Sequence, residues 1–443
     1  MRQLATVSLA VLVLGSAMRQ AQPVALDERE RAMITWIDEQ AEAPIGLLEQ
    51  LVNINSGTMN PEGVRDVGAV LRSELDRLGF ETEWVELPPE MERAGHLIGR
   101  RSGERGAKIL LIGHMDTVFE ADDSFQAFSR DGNVGRGPGV VDMKSGNVVI
   151  LYALRAMQAA GVLDGVQLQV FYTGDEEEPG RPLSISRKEL IEAGKWADVA
   201  LGFEAAVHSD GTDWATVARR SAAAWRLEVK GRQAHSSRVF SEDVGAGAIF
   251  EAARIVTAFY EDVRGEEYLT FSAGAIAGGS SVEYDFAANR GSVFGKPNVV
   301  PNTAVVHGDI RAISREQLER AQEAMLTIVS HSLPHTESTL TFYEGYPPMA
   351  PTEGNLRLQD QLSAINQALG RGPMPALDPM RRGAADISFV APYSAALAGL
   401  GAIGKGAHTP DESVELDSMP LAIKRAAILM YRLSQPESKS DSL

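Results

Sequence analysis

Three short apolar runs constrain this chain most: AKILLIGH (107–114), VQLQVFYT (166–173) and DVALGFE (198–204). Each is β-rich and bounded by turn residues, which predicts a strand. Between the first two lies MKSGNVVILYALRAMQAAG (143–161), a helical pattern that stops at Gly161. Strands separated by helices imply an α/β sheet that is at least partly parallel. In such sheets the crevice at the carboxyl ends of the strands binds ligands. The polar residues that close these runs are therefore the first place to look for chemistry.

Helical spacing also marks 30–40, 45–54 and 64–79, followed by a strand-like FETEWVEL (80–87). Near residue 219 the texture changes. AAWRLEVKG, a helix over 245–263, the Gly-rich AGAIAGGSS leading to a strand, the alternating NTAVVHGDIRAI, a helix over 315–331 and STLTFYE follow in turn. That order, βαββαβ, is a small split-βαβ domain inserted in a larger one. The expected architecture is thus α/β: a mixed, largely parallel sheet flanked by helices, in a discontinuous catalytic domain (25–218 and 346–434) carrying a lid (219–345). Residues 1–21 read as an export signal, with Arg2 ahead of an apolar run, Leu4 to Leu14, and small residues at Gly15-Ser16-Ala17. An uncleaved anchor or an N-terminal helix is the alternative. The expected location is periplasmic or secreted, with no membrane association after signal cleavage. The polar 435–443 segment reads as a disordered tail.

Composition narrows the chemistry. Lys plus Arg number 42 against 60 Asp plus Glu, a formal charge of −18, so the electrostatic footprint of a nucleic-acid binder is missing. No Cys is present, which excludes disulfides, thiolate metal sites and a Cys nucleophile. Any metal site must be built from His and carboxylates.

Five polar clusters could carry chemistry. In Gly113-His114-Met115-Asp116, a His and an Asp two apart point the same way, one able to bind a metal while the other steers it. A hydrogen-bonded structural His is the bland alternative. In GRGPGVVDMKSG (135–146), Asp142 stands at the start of a helix, where Asp is also a favoured N-cap. A phosphate loop is excluded, since GxxxxGK[ST] is absent. Asp175-Glu176-Glu177-Glu178 closes the second strand; four carboxylates there repel one another unless a cation is present, although a solvated acidic turn is the common reading of such a run. Glu204 closes the third strand, and GAHTPDE (406–412) lies far along the chain before the last helix. Together these supply two His and several carboxylates at one sheet edge, an N/O set that suits zinc, or cobalt or manganese as substitutes.

At this point the ordered motifs GHMDTV, GVVDMKSG, TGDEE, GFE, KGRQAH, PNVVPNTAVVHGDIR and GAHTPDE resemble the zinc exopeptidases and deacylases that group glutamate carboxypeptidase, acetylornithine deacetylase and succinyl-diaminopimelate desuccinylase. The pattern is most similar to glutamate carboxypeptidase and covers nearly all of the chain after the signal. The resemblance implies two Zn2+ per subunit: one held by His114, Asp142 and Glu204, the other by Asp142, Glu177 and His408, with Asp142 bridging. It further implies that Asp116 orients His114 and that Glu176 is the general base; three consecutive Glu leave a register one residue later as the alternative. His235 would face the tetrahedral oxyanion, often from the partner subunit of a homodimer formed through the lid. Asn298 and Arg311, thirteen residues apart, would bind a substrate carboxylate, with Gly383 in a substrate-facing loop. That loop departs from the family pattern: RRGAAD (381–386) stands where relatives are richer in Gly, so Arg381 and Arg382 could add positive charge near a substrate acid.

The implied reaction is hydrolysis of an amide in an N-acyl amino acid or short peptide, releasing a C-terminal amino acid, glutamate among the candidates. A deacetylase or desuccinylase of the same fold is the nearest rival, and an exported binding protein without catalysis the more distant one.

Overall fold

A computed structural model describes residues 25–286 and 288–436. The expected export signal and the tail beyond Pro436 lie outside the described residues. The principal strands are β1 (Glu81–Val85), β2 (His96–Arg101), β3 (Arg105–His114), β4 (Val166–Thr173), β5 (Val199–Gly202), β6 (Ala222–Gly231), β7 (Thr270–Gly279), β8 (Thr303–Arg311), β9 (Thr336–Tyr346) and β10 (Ala395–Leu397).

Six of them form the central sheet, in the order β1-β2-β4-β3-β5-β10. The β4-β3-β5-β10 half is parallel, while β1 and β2 add antiparallel strands at one side. The apolar runs become these parallel strands because both faces are covered. Ile109 and Leu111 of β3 pack on one side, with Val148, Leu151 and Ile423 from the helices Ser145–Ala159 and Ser418–Leu433. Leu110 and Ile112 face the other side, against Leu190, Ala193, Ile387 and Val390. Period-two alternation within one strand thus feeds two separate cores. Among the described residues no helix is long and apolar enough to cross a membrane.

The lid is a second, fully antiparallel sheet in the order β7-β8-β6-β9. Its inner face buries Trp225, Leu227, Val306 and Ile310 against Ala252, Ile255 and Met325 of two helices, Ala248–Ala258 and Arg315–Val329. The βαββαβ order holds, but the Gly-rich run is itself part of a strand, Thr270–Gly279, and two short pairings are added: Ser281–Asp285 with Arg290–Phe294, and Ala234–His235 with Val299–Val300. Where the chain enters and leaves the lid, two segments run side by side. Ala222 pairs with Tyr346, and Arg219 and Met349 exchange both backbone hydrogen bonds at 2.9 Å.

Candidate metal centre

Three strand ends and two loops converge on one point. His114 ends β3 and is buried, as is Asp116 two residues on. Asp142 lies in a turn between Gly139 and the helix that begins at Ser145. Its own backbone and that of Met143 are not helical. The N-cap reading of Asp142 is therefore not the conformation adopted. Its carboxylate instead faces two imidazoles, Oδ1 lying 3.2 Å from His114 Nε2 and Oδ2 3.2 Å from His408 Nε2. Two glycines permit this. Gly139 takes a left-handed φ of 71°, and a Cβ on Gly146 would sit 1.9 Å from the carbonyl oxygen of Phe203, so the helix can press on the end of β5.

The acidic run after β4 is not a solvated turn. Asp175 is buried, and the Glu177 side chain is only 6% exposed, with Oε2 lying 3.1 Å from His408 Nε2. Asp116 fixes the run from below, its two carboxylate oxygens accepting the backbone N–H groups of Glu176 and Glu177 at 3.0 Å each. The same carboxylate accepts from Thr58 Oγ1 at 2.7 Å and lies 3.4 Å from His114 Nδ1. One ligand atom each from His114, Glu176 and Glu177 lie within 4.8 Å of one another, as do those of Asp142, Glu177 and His408. Glu204 belongs to neither group. Its Oε2 is taken by Arg219 Nη2 at 2.5 Å.

Electrostatics follow from the crowding. Burial pushes the Glu176 carboxyl well above its usual range, and the charges of Asp386, Glu204 and Glu177 add to it. Burial also raises Glu177, reinforced by Asp142. Hydrogen bonds to Asp142 and then Glu177 lift His408 to about 10. For His114, burial opposes the charged ring, but the hydrogen bonds to Asp116 and Asp142 outweigh it and the pKa is raised well above normal. The cluster thus gathers buried carboxylates against two imidazoles. Glu177 Oε1 is buried and has no hydrogen-bond partner among the described residues. An orphaned carboxylate oxygen beside two imidazoles, with one carboxylate offering an oxygen to each ring, fits a pair of divalent cations.

The lid residues stand apart. His235 is exposed, and its Nδ1 is 2.8 Å from Ser237 Oγ. Exposed Asn298 is its neighbour, the Asn298 carbonyl accepting from Ser236 N–H at 2.9 Å. Arg311 pairs with Asp309 at 2.9 Å, and its Nη1 would lie 3.8 Å from a Cβ on Gly383. No hydrogen bond or ion pair among the described residues links these four to the strand-end cluster.

Several supporting residues escaped the sequence reading. Glu412, buried four residues after His408, accepts the backbone N–H groups of Gly139, Val141 and Asp142 at 2.9–3.1 Å and so clamps the Asp142 turn. Burial raises its carboxyl to about 7. Fully buried Arg187 ties Asp175 (2.6 Å) to Asp386 (2.8 Å) behind the acidic run. The signal available for Glu412 was its place inside the GAHTPDE motif. Asp386 closed the RRGAAD segment without a role being read for it, and Arg187 carried no signal.

Known proteins bear on this arrangement directly. The chain is 27% identical over 435 residues to carboxypeptidase G2 of Pseudomonas sp. (strain RS-16), covering 97% of each protein. It is 27% identical to succinyl-diaminopimelate desuccinylase of Cupriavidus necator, over 84% of this chain and 94% of that one. The fold matches that of a Bacillus subtilis protein described as a dinuclear metal-binding peptidase of the M20 family, with a TM-score of 0.58 at 14% identity, over 91% of this chain and 99% of that one. The model of peptidase family M20/M25/M40 spans residues 110–432, from β3 to the last helix, and so takes in His114, the Asp142 turn, the acidic run and His408. This chain therefore belongs to the M20/M25/M40 peptidase family, as a metal-dependent hydrolase.

Proposed function

We propose that the protein is a zinc-dependent amide hydrolase of carboxypeptidase type, releasing a C-terminal amino acid from N-acyl amino acids or short peptides. The observation that carries this reading is the Asp142 carboxylate, with one oxygen turned to His114 and the other to His408, beside a buried and partnerless Glu177 Oε1. In it, His114, Asp142 and Glu204 hold one zinc ion and Asp142, Glu177 and His408 the other. An all-N/O donor set in a chain without Cys supports zinc, with cobalt or manganese as substitutes. Metal ions held there would polarise the scissile carbonyl and make water a stronger nucleophile.

The chain's own groups supply the proton traffic. Glu176 is half-buried, and its raised pKa suits a group that takes a proton from the attacking water and later gives it to the leaving nitrogen. Asp116 orients both His114 and the backbone of Glu176. Arg311 with Asn298, near Gly383, binds the substrate's terminal carboxylate through its planar fork. His235 steadies the oxyanion. It is exposed and makes no hydrogen bond or ion pair to the cluster among the described residues, so the reading needs a lid movement or delivery from a second copy in a homodimer joined through the lid. The leader-like 1–21 segment supports export to the periplasm or medium.

A deacylase is the second reading, favoured by the similarity to succinyl-diaminopimelate desuccinylase. It uses the same bond cleavage but selects the acyl side. A panel of N-acyl amino acids, dipeptides and N-succinyl amines, each with zinc-loaded protein and a chelator control, separates the two. Chelator-sensitive release of C-terminal amino acids is expected; turnover confined to N-succinyl amines would favour the deacylase, and no turnover at all would overturn both.

A further inference from the structure

We infer that the two segments joining the lid to the catalytic domain carry positioning residues for the metal centre, Arg219 acting through Glu204 and Tyr346 acting through Glu176. The inference rests on the function proposed above and adds residues to which that function assigns nothing.

Arg219 sits on the entering segment, its backbone paired with Met349 on the leaving one. It is buried, and its guanidinium reaches three groups. Nη2 donates to Glu204 Oε2 at 2.5 Å, and Nη1 donates to the carbonyls of Gly383 (3.2 Å) and Ala384 (3.4 Å). One side chain thus ties the lid junction to a carboxylate at the end of β5 and to the loop beside Arg311. A carboxylate held at one oxygen by a fixed guanidinium is limited in how it can turn its other oxygen toward a cation. Tyr346 ends β9, three residues before Met349 and in register with Ala222. Its hydroxyl donates to the backbone carbonyl of Glu176 at 2.8 Å and accepts from Arg187 Nη2 at 3.0 Å. Asp116 holds the N–H of Glu176, and Tyr346 holds its carbonyl, so the peptide units flanking Glu176 are fixed on both sides. Because Arg219 and Tyr346 share one short ladder, a shift of the lid against the catalytic domain moves both contacts together.

The test uses the full-length protein. Zinc binding alone, followed by competition with a chromophoric chelator, reads the Arg219 arm in R219Q and R219K, with thermal melting to verify folding. The expected result is two zinc equivalents in the parent and an affinity for one of them reduced about tenfold or more in R219Q, with R219K in between. R219K carries the test if R219Q fails to fold. Unchanged affinity for both equivalents in a folded variant overturns the Arg219 assignment. For Y346F, kcat on the best substrate of the panel should fall about tenfold with KM and zinc content unchanged, since a small misplacement of a reacting group costs turnover rather than binding. Parent-like kcat, or a loss appearing in KM alone, overturns the Tyr346 assignment. A parent that binds no zinc would overturn the function itself and this inference with it, an outcome distinct from either variant result.

Discussion

The two sets of functional candidates differ in how far they are already assembled. The strand-end set in the catalytic domain is interlocked and, apart from the exposed His408, buried or half-buried. His114, Asp142, Glu177 and His408 sit in ion-pair contact, Asp116 holds the peptide units beneath, and Glu412 clamps the turn. The lid set is open to solvent. His235 and Asn298 lie beside one another, Arg311 lies near Gly383, and neither pair touches the cluster. Under the proposed function the difference matches two tasks. A cluster of like charges must be fixed before a cation arrives, since crowded carboxylates are stable only against a preset partner. Groups that grip a substrate gain by closing after it has entered.

The largest effect tests the assembled half. E176Q should lower kcat/KM about 10³-fold while zinc content by native mass spectrometry stays at the parent level. Retained activity would mean that the cluster binds metal without moving the proton through Glu176. The next test addresses the unassembled half. H235A should reduce kcat about 100-fold, as loss of an oxyanion donor does, again with full zinc. Mixing inactive H235A with inactive E176Q should restore turnover if a second copy delivers the imidazole, and should restore none if the lid of the same chain does. A smaller change is expected from R311K, which keeps the charge but loses the fork: KM should rise about tenfold with kcat nearly constant. A drop in kcat alone would assign Arg311 to chemistry instead of binding.

The smallest predicted effect on turnover probes a buried ion pair of the catalytic domain outside both sets. Asp213 joins the short strand Thr212–Trp214 to two helices through Arg425 (2.5 Å) and Asn366 (3.3 Å). Burial raises its carboxyl, but the charge of Arg425 and hydrogen bonds from His208 and Asn366 outweigh it and bring the pKa to about 2. The folded value lies below the unfolded one. The pair therefore stabilises the protein fully above about pH 4 and loses that contribution as pH falls through about 2. D213N should cost about 3 kcal/mol in chemical denaturation at pH 7 and progressively less below pH 4. A penalty independent of pH would mean that packing, not charge, is lost.

The same contrast decides what could be read from sequence. The cluster was legible because each member closes an apolar run or sits in a short motif, so position along a strand already dictates which edge it reaches. Its supports were not. Arg187 and Asp386 are 199 residues apart, and Arg219 meets Glu204 only because the chain leaves for the lid at that point. Side-chain contacts across such separations leave no periodicity. After the Gly-rich run a single strand was expected, not the Ser281–Phe294 hairpin, since its residues are exposed or half-exposed and carry too little apolar alternation to stand out. The N-cap alternative for Asp142 arose because Asp before a helix is common, whereas Asp142 stands three residues ahead of Ser145 with a non-helical backbone.

The split architecture also fixes an order of events during synthesis. The helix Ser418–Leu433 packs on Glu28–Glu39, Ser145–Ala159 and β3, so part of one face of the central sheet stays uncovered until nearly all of these residues have been translated. His408 and Glu412 emerge from the ribosome just ahead of that helix. A nascent chain stalled or cleaved before residue 400 carries the acidic run and His114 but neither the second imidazole nor the clamp on Asp142. The cluster and its core are thus completed by the same final segment, and a truncated product is left without both.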